Sequence, residues 1–131
     1  MIGTRISSGS SFEALAGYSR AVVLADPGGD WVLVSGTTGF DYRTMQISPE
    51  VEKQTRQCFA NIEAALAKAG ASLADVVRVR IFLADRADFA KVAPIVGQHM
   101  SEAKPANTTV VAPLIDERMK IEIEVTARRG I

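Results

Sequence analysis

Apolar positions along the chain follow two periodicities, and the switches between them divide it into strands and helices. Residues 19–25 read as a strand, Pro27-Gly28-Gly29 as a turn and residues 31–35 as a second strand, together a hairpin. Both strand cores, Ala21-Val22-Val23-Leu24-Ala25 and Trp31-Val32-Leu33-Val34, are continuously apolar. A strand of a one-sided antiparallel sheet alternates, so these runs predict burial on both faces. After a loop over residues 36–47, Ser48 is placed to cap a helix, with Pro49 at its first position and Glu50 at the positive end of its dipole. Val51, Thr55, Cys58, Phe59, Ile62, Leu66 and Ala69 then recur at three- and four-residue spacing, and Gly70 supplies the C-terminal cap.

Residues 75–83 form the next predicted strand, with Val77, Val79, Ile81 and Leu83 on one face and Arg78 and Arg80 on the other. A second helix follows, opened by Asp85 and Asp88, with Phe89, Val92 and Val96 turned inward and Pro94 expected to kink or divide it. Residues 107–112 and 119–128 are the last strands. In the second of them Ile121, Ile123 and Val125 alternate with Lys120, Glu122, Glu124 and Thr126. The predicted order is β-β-α-β-α-β-β, an α+β sheet with two helices on one face. The first hairpin wants cover on both faces, and a second copy of the chain is the economical cover for the face the helices leave open.

At 131 residues this is one domain, residues 1–131, and its 47% hydrophobic and 23% charged residues are those of a globular protein. Fifteen basic and fifteen acidic residues cancel, which weighs against nucleic acid as the main partner. No apolar run approaches the ~20 residues of a membrane helix, and the first residues hold no secretory core, so the expected address is cytoplasmic. Cys58, the only cysteine, lies on the apolar stripe and reads as core; His99, the only histidine, has no partners for a metal set, so no metal is expected. Gly36-Thr37-Thr38-Gly39 lacks the lysine of a phosphate loop and the spacing of a dinucleotide fingerprint. Glu122 and Glu124 read by default as a solvated face, and become chemically interesting if another subunit packs over them.

Several segments, none specific alone, occur in a telling order: Gly17-Tyr18-Ser19, Val34-Ser35-Gly36, Gln54 with Asn61-Ile62, Ala69-Gly70-Ala71-Ser72, Val76-Val77, Phe82-Leu83-Ala84-Asp85, Asp88-Phe89, Pro105-Ala106, and Ile121-Glu122-Ile123-Glu124 before Ala127. As an ordered set they resemble the Rid family of reactive-intermediate deaminases, also called YjgF-like or L-PSP endoribonuclease-like proteins. The resemblance implies a chorismate-mutase-like fold and a homotrimer with three clefts between subunits. It further implies hydrolysis of imines and enamines such as 2-aminoacrylate to keto acids and ammonia, without a cofactor.

In such proteins an arginine after Pro-Ala grips the substrate carboxylate; here Asn107 stands there. Replacing a charge-assisted bond by a neutral one weakens carboxylate binding about tenfold. The resemblance assigns water positioning to Glu122 and substrate binding to Tyr18, Ser35, Gly36, Asn107 and Thr109, the last at a position where many members carry cysteine. Thr37 replaces a common glutamine. Arg20, two residues after Tyr18 and hence on the same strand face, is a candidate for the missing guanidinium, set against a plain surface role. Two functions follow: an imine or enamine deaminase or related hydrolase, and a non-catalytic small-molecule binder that has lost the carboxylate clamp. RNA cleavage, attached to the family by name, is disfavoured by the neutral charge, 6% aromatic content and single histidine.

Overall fold

The computed structural model describes residues 2–130. Its strands are β1 (Thr4–Ile6), β2 (Ala21–Leu24), β3 (Trp31–Thr38), β4 (Phe40–Asp41), β5 (Gln46–Ile47), β6 (Val76–Leu83), β7 (Ala106–Val111) and β8 (Ile121–Arg128). Its helices are α1 (Ser11–Ala16), α2 (Val51–Lys68) and α3 (Phe89–His99). Six strands make one mixed sheet in the order β1-β2-β3-β8-β6-β7, antiparallel throughout except for the parallel pair β6 and β7. The strands β4 and β5 form a separate two-residue hairpin. All elements of the expected order are present; β1, α1 and the β4–β5 hairpin were not expected.

The helix α2 buries the predicted stripe, with Val51, Thr55, Cys58, Phe59, Ile62, Leu66 and Ala69 all in the core. They meet Val32, Val34, Val79, Ile81, Leu83, Ile121, Ile123 and Val125 from the sheet. Removing one fully buried leucine such as Leu66 from this layer would cost roughly 2–5 kcal/mol. Gly70 takes a left-handed φ of 74° just beyond the helix, as its capping role requires. At the other end Glu50, not Ser48, is the capping residue, and Ser48 accepts a bond from the Glu50 N–H in a turn before the helix.

Three further details differ from the pattern. Val77 is 46% exposed while Val76 is buried, because the β6–β8 register shifts between Val76 and Arg78 and displaces the alternation by one residue. Phe89 is half-exposed, since a 3₁₀ turn at Arg86–Asp88 rotates the start of α3 and gives the inner face to Val92, Ile95 and Val96. Pro94 lies early enough in α3 to forfeit only the bond to the Ala90 carbonyl, and the helix runs on undivided.

Both main helices lie on one face of the sheet. Across the other, Val22, Leu33, Thr126 and Arg78 stand in register, and Leu33 is 43% exposed. The first hairpin is thus covered by helices on one face only. No helix of the described residues is long and apolar enough to cross a membrane.

Candidate functional site

The centre of the molecule is an irregularity in β3. Its register against β8 shifts between Val34 and Thr37, leaving Ser35 and Gly36 as a bulge. The bulge is tied down on the β2 side: the Ser35 N–H donates to the Arg20 carbonyl (2.9 Å) and the Ser35 hydroxyl to the Ser19 carbonyl (2.6 Å). Glu122, facing the bulge from β8, lays its carboxylate where a side chain at position 36 would stand. A Cβ built on Gly36 falls 2.3 Å from Glu122 Oε2. Glycine is needed here for close approach, not for its φ.

Opposite the bulge lies a cleft of about 520 Å3 lined by Tyr18, Ser35, Gly36, Thr38, Tyr42 and Glu122, with Phe12, Leu15, Ala16, Ile115, Asp116 and Met119 completing its wall. Four of the residues assigned by resemblance therefore meet in one place. Burial pushes the Glu122 carboxyl above the usual carboxylate range; the positive charge of Arg20 partly offsets this, and Glu124 adds to the rise. Among the described residues no lysine or arginine lines the cleft.

Asn107 and Thr109 are elsewhere. On β7 they line a larger hollow, about 800 Å3, between the sheet edge and α3, together with Phe89, Arg86 and Lys104. Asn107 Oδ1 accepts a bond from the Thr109 hydroxyl at 2.9 Å, which ties the two predicted residues to each other. Arg20 is neither at the surface nor in the cleft lining. It is 1% exposed and borders a third hollow, about 300 Å3, with Asn61, Ala64 and Ala65 of α2. There it donates from Nη1 to the Gly36 carbonyl (2.7 Å) and to Thr37 Oγ1 (3.1 Å), and its guanidinium lies 4.5 Å from the Tyr42 ring and 5.6 Å from that of Tyr18.

Two side-chain amides, the buried Gln54 and the partly buried Asn61, carry the frame. Gln54 donates to the Ser48 and Arg118 carbonyls (2.7 and 2.8 Å) and accepts from the Lys120 N–H (2.8 Å), fixing the chain just before Glu122. Asn61 donates to the Thr38 and Phe40 carbonyls (3.0 and 2.8 Å), holding the turn on which Tyr42 stands. The Tyr42 hydroxyl in turn accepts from the Thr38 N–H at 2.8 Å. Sequence reasoning missed Tyr42, Phe12 and Asp116. A signal for Phe12 existed: Ser10 and Glu13 have the spacing of a helix start, and Ser10 does cap α1. Tyr42, an aromatic flanked by Asp41 and Arg43 in a polar loop, carried no periodic signal.

The geometry finds company among known proteins. Residues 8–129 match the family model described as Endoribonuclease L-PSP. A RutC family protein of Pyrococcus abyssi is 35% identical over 111 residues, 84% of each chain. A 2-iminobutanoate/2-iminopropanoate deaminase of Dermatophagoides farinae is 28% identical over 120 residues, 91% of each. The crystal structure of a YjgF/YER057c/UK114 family member from Mycobacterium tuberculosis superposes with a TM-score of 0.82 at 39% identity, covering 95% of this chain and 98% of that one.

Proposed function

The chain belongs to the endoribonuclease L-PSP family, also called the YjgF or Rid family, and on that premise we propose that its cleft hydrolyses imines or enamines with Glu122 orienting the attacking water. The observation that carries this reading is the half-buried Glu122 carboxylate, its pKa raised by burial, laid against the Gly36 backbone between Tyr18 and Ser35. A raised carboxyl is suited to taking a proton from water and returning it. Water adds to the C=N carbon as Glu122 accepts its proton; the proton passes to nitrogen, and the carbinolamine collapses to a carbonyl compound and ammonia. No cofactor enters this scheme.

Asn107 and Thr109 join such a site only if a second copy sets its β7 hollow against the first copy's cleft. Their separation from Glu122 within one chain, and the open face bearing Leu33, support a homotrimer with intersubunit sites. A monomer in sedimentation at micromolar concentration would end that proposal. One observation favours a second reading, a small-molecule binder without catalysis: Asn107 is neutral and already bonded to Thr109, so the carboxylate clamp is absent. RNA is the least favoured ligand, because fifteen basic and fifteen acidic residues cancel over the chain and the Glu122 cleft itself presents two carboxylates, Asp116 and Glu122.

Ammonia release from 2-iminopropanoate separates the readings. On the enzyme reading Glu122→Gln lowers kcat about 10²-fold, Glu124→Gln does much less, and Asn107→Arg raises activity on this carboxylated substrate. Absence of hydrolysis in a protein that still binds small keto acids would establish the binder.

A further inference from the structure

We propose that Arg20 is a positioning residue that holds the β3 bulge from behind, so that Gly36 presents a fixed wall to Glu122. The inference rests on the hydrolytic reading of that glutamate and extends it to a residue outside the cleft.

Three observations converge on Arg20. Through Nη1 it bridges the carbonyl of the bulge residue Gly36 and the hydroxyl of Thr37, where the ladder resumes, and Thr37 in turn donates to the Ser35 carbonyl at 2.8 Å. A bulge takes its residues out of the sheet ladder, so a partner must be found for the freed carbonyl, and here it is a guanidinium. Glu122 rests against the same residue, where a side chain at position 36 would stand. Gly36 is thus in contact with both a cation and a carboxylate, and the position of one fixes that of the other.

The second observation is what Arg20 lacks. Its Nε and Nη2 are buried with no hydrogen-bond partner, and the buried Glu13 carboxylate forms an ion pair with it at 3.7 Å from Nε, beyond hydrogen-bond reach. A side chain kept for packing alone would not bury a charge so incompletely paired. The third is its surroundings: the rings of Tyr42 and Tyr18 face it, and both line the cleft. One buried cation therefore touches the bulge and two aromatic walls of the site while making no contact with the cleft itself. Its positive charge also restrains the upward shift of the Glu122 carboxyl.

Arg20→Gln and Arg20→Lys test the assignment on the intact chain, with three readouts: steady-state rates on 2-iminopropanoate, a carbon-13 NMR titration of the Glu122 carboxyl, and thermal unfolding. Arg20→Gln should move the Glu122 midpoint upward and lower kcat about tenfold or more with KM little changed. Arg20→Lys should return the midpoint toward the original value without restoring kcat, because an ammonium lacks the planar fork. An unchanged midpoint and rate in folded Arg20→Gln would overturn the proposal, as would a loss confined to KM, which would make Arg20 a binding group. Should Arg20→Gln fail to fold, Thr37→Val decides: it removes one of the two partners on the bulge and should lower kcat in the same direction, and an unaltered rate refutes the clamp. Failure of the hydrolytic reading is distinguishable, since the unsubstituted protein would then release no ammonia, or Glu122→Gln would leave its turnover intact, while the NMR titration still reports on Arg20.

Discussion

Gly36→Ala is the sharpest perturbation available, because its effects on stability and on activity should separate. The new methyl would lie 2.3 Å from Glu122 Oε2 and 2.9 Å from its Cδ, where ordinary contact is about 3.4 Å or more. The obstacle is the end of a flexible side chain, so the carboxylate moves by roughly 1 Å and the backbone stays. Gly36 does not adopt a positive φ, so its backbone conformation is open to alanine, which slightly reduces the entropy of the unfolded chain. Unfolding free energy should therefore change by less than about 1 kcal/mol. A displacement of about 1 Å at a reacting group is worth on the order of 10² in rate. Stopped-flow or coupled ammonia assays, run beside chemical denaturation, measure both quantities. Full activity in a folded Gly36→Ala protein would refute the placement of Glu122 in the chemistry. A loss of rate matched by a comparable loss of stability would refute the claim that the side chain alone yields.

Other expectations follow from the same frame. Because the Glu122 pKa is raised on folding, its contribution to stability is complete below the ordinary glutamate value and is lost as pH rises through the folded value. Glu122→Gln should thus raise Tm at neutral pH and do little below about pH 4, which differential scanning calorimetry at two pH values checks. Gln54→Leu leaves the Ser48 and Arg118 carbonyls and the Lys120 N–H without their partner, and should destabilise by about 2–4 kcal/mol in urea denaturation. Cys58 is fully buried, donates to the Thr37 carbonyl at 3.4 Å, and has its thiol pKa pushed far up by burial and by Glu122. It should resist iodoacetamide at pH 8 until the protein is unfolded; rapid labelling of native protein would contradict its placement.

How much was readable in the chain depended on periodicity. The stripe of α2 and the alternation of β8 repeat often enough to fix which side chains turn inward, and Glu122 follows from the second. Val77 was misplaced because a single extra residue in β6 inverts every side chain on one side of it, and such a slip leaves no mark in composition. Phe89 failed for a related reason, a 3₁₀ turn that changes the phase of a helix. The ordered motifs name Tyr18, Ser35, Gly36 and Glu122, and the fold sets these four along one cleft. They did not reveal that Arg20 is buried, since that depends on Glu13 in α1 and Tyr42 in the β4–β5 turn, neither of which belongs to a repeating pattern. Nor did they show that Asn107 faces a hollow of its own, which is set by the register of β7 on β6.

The strand carrying Glu122 is the last of the eight in sequence and yet lies in the interior of the sheet. The ladders β1-β2-β3 and β6-β7 share no pairing except through β8, so until it docks the chain holds two unconnected half-sheets with facing edges bare. Bringing residues 31–38 against residues 121–128 closes a loop spanning most of the chain, an entropic cost met before any of the central ladder forms. Topology of this kind places folding toward the slow end of the range for small domains, and it makes insertion of one strand the step at which sheet, core and candidate site are completed together.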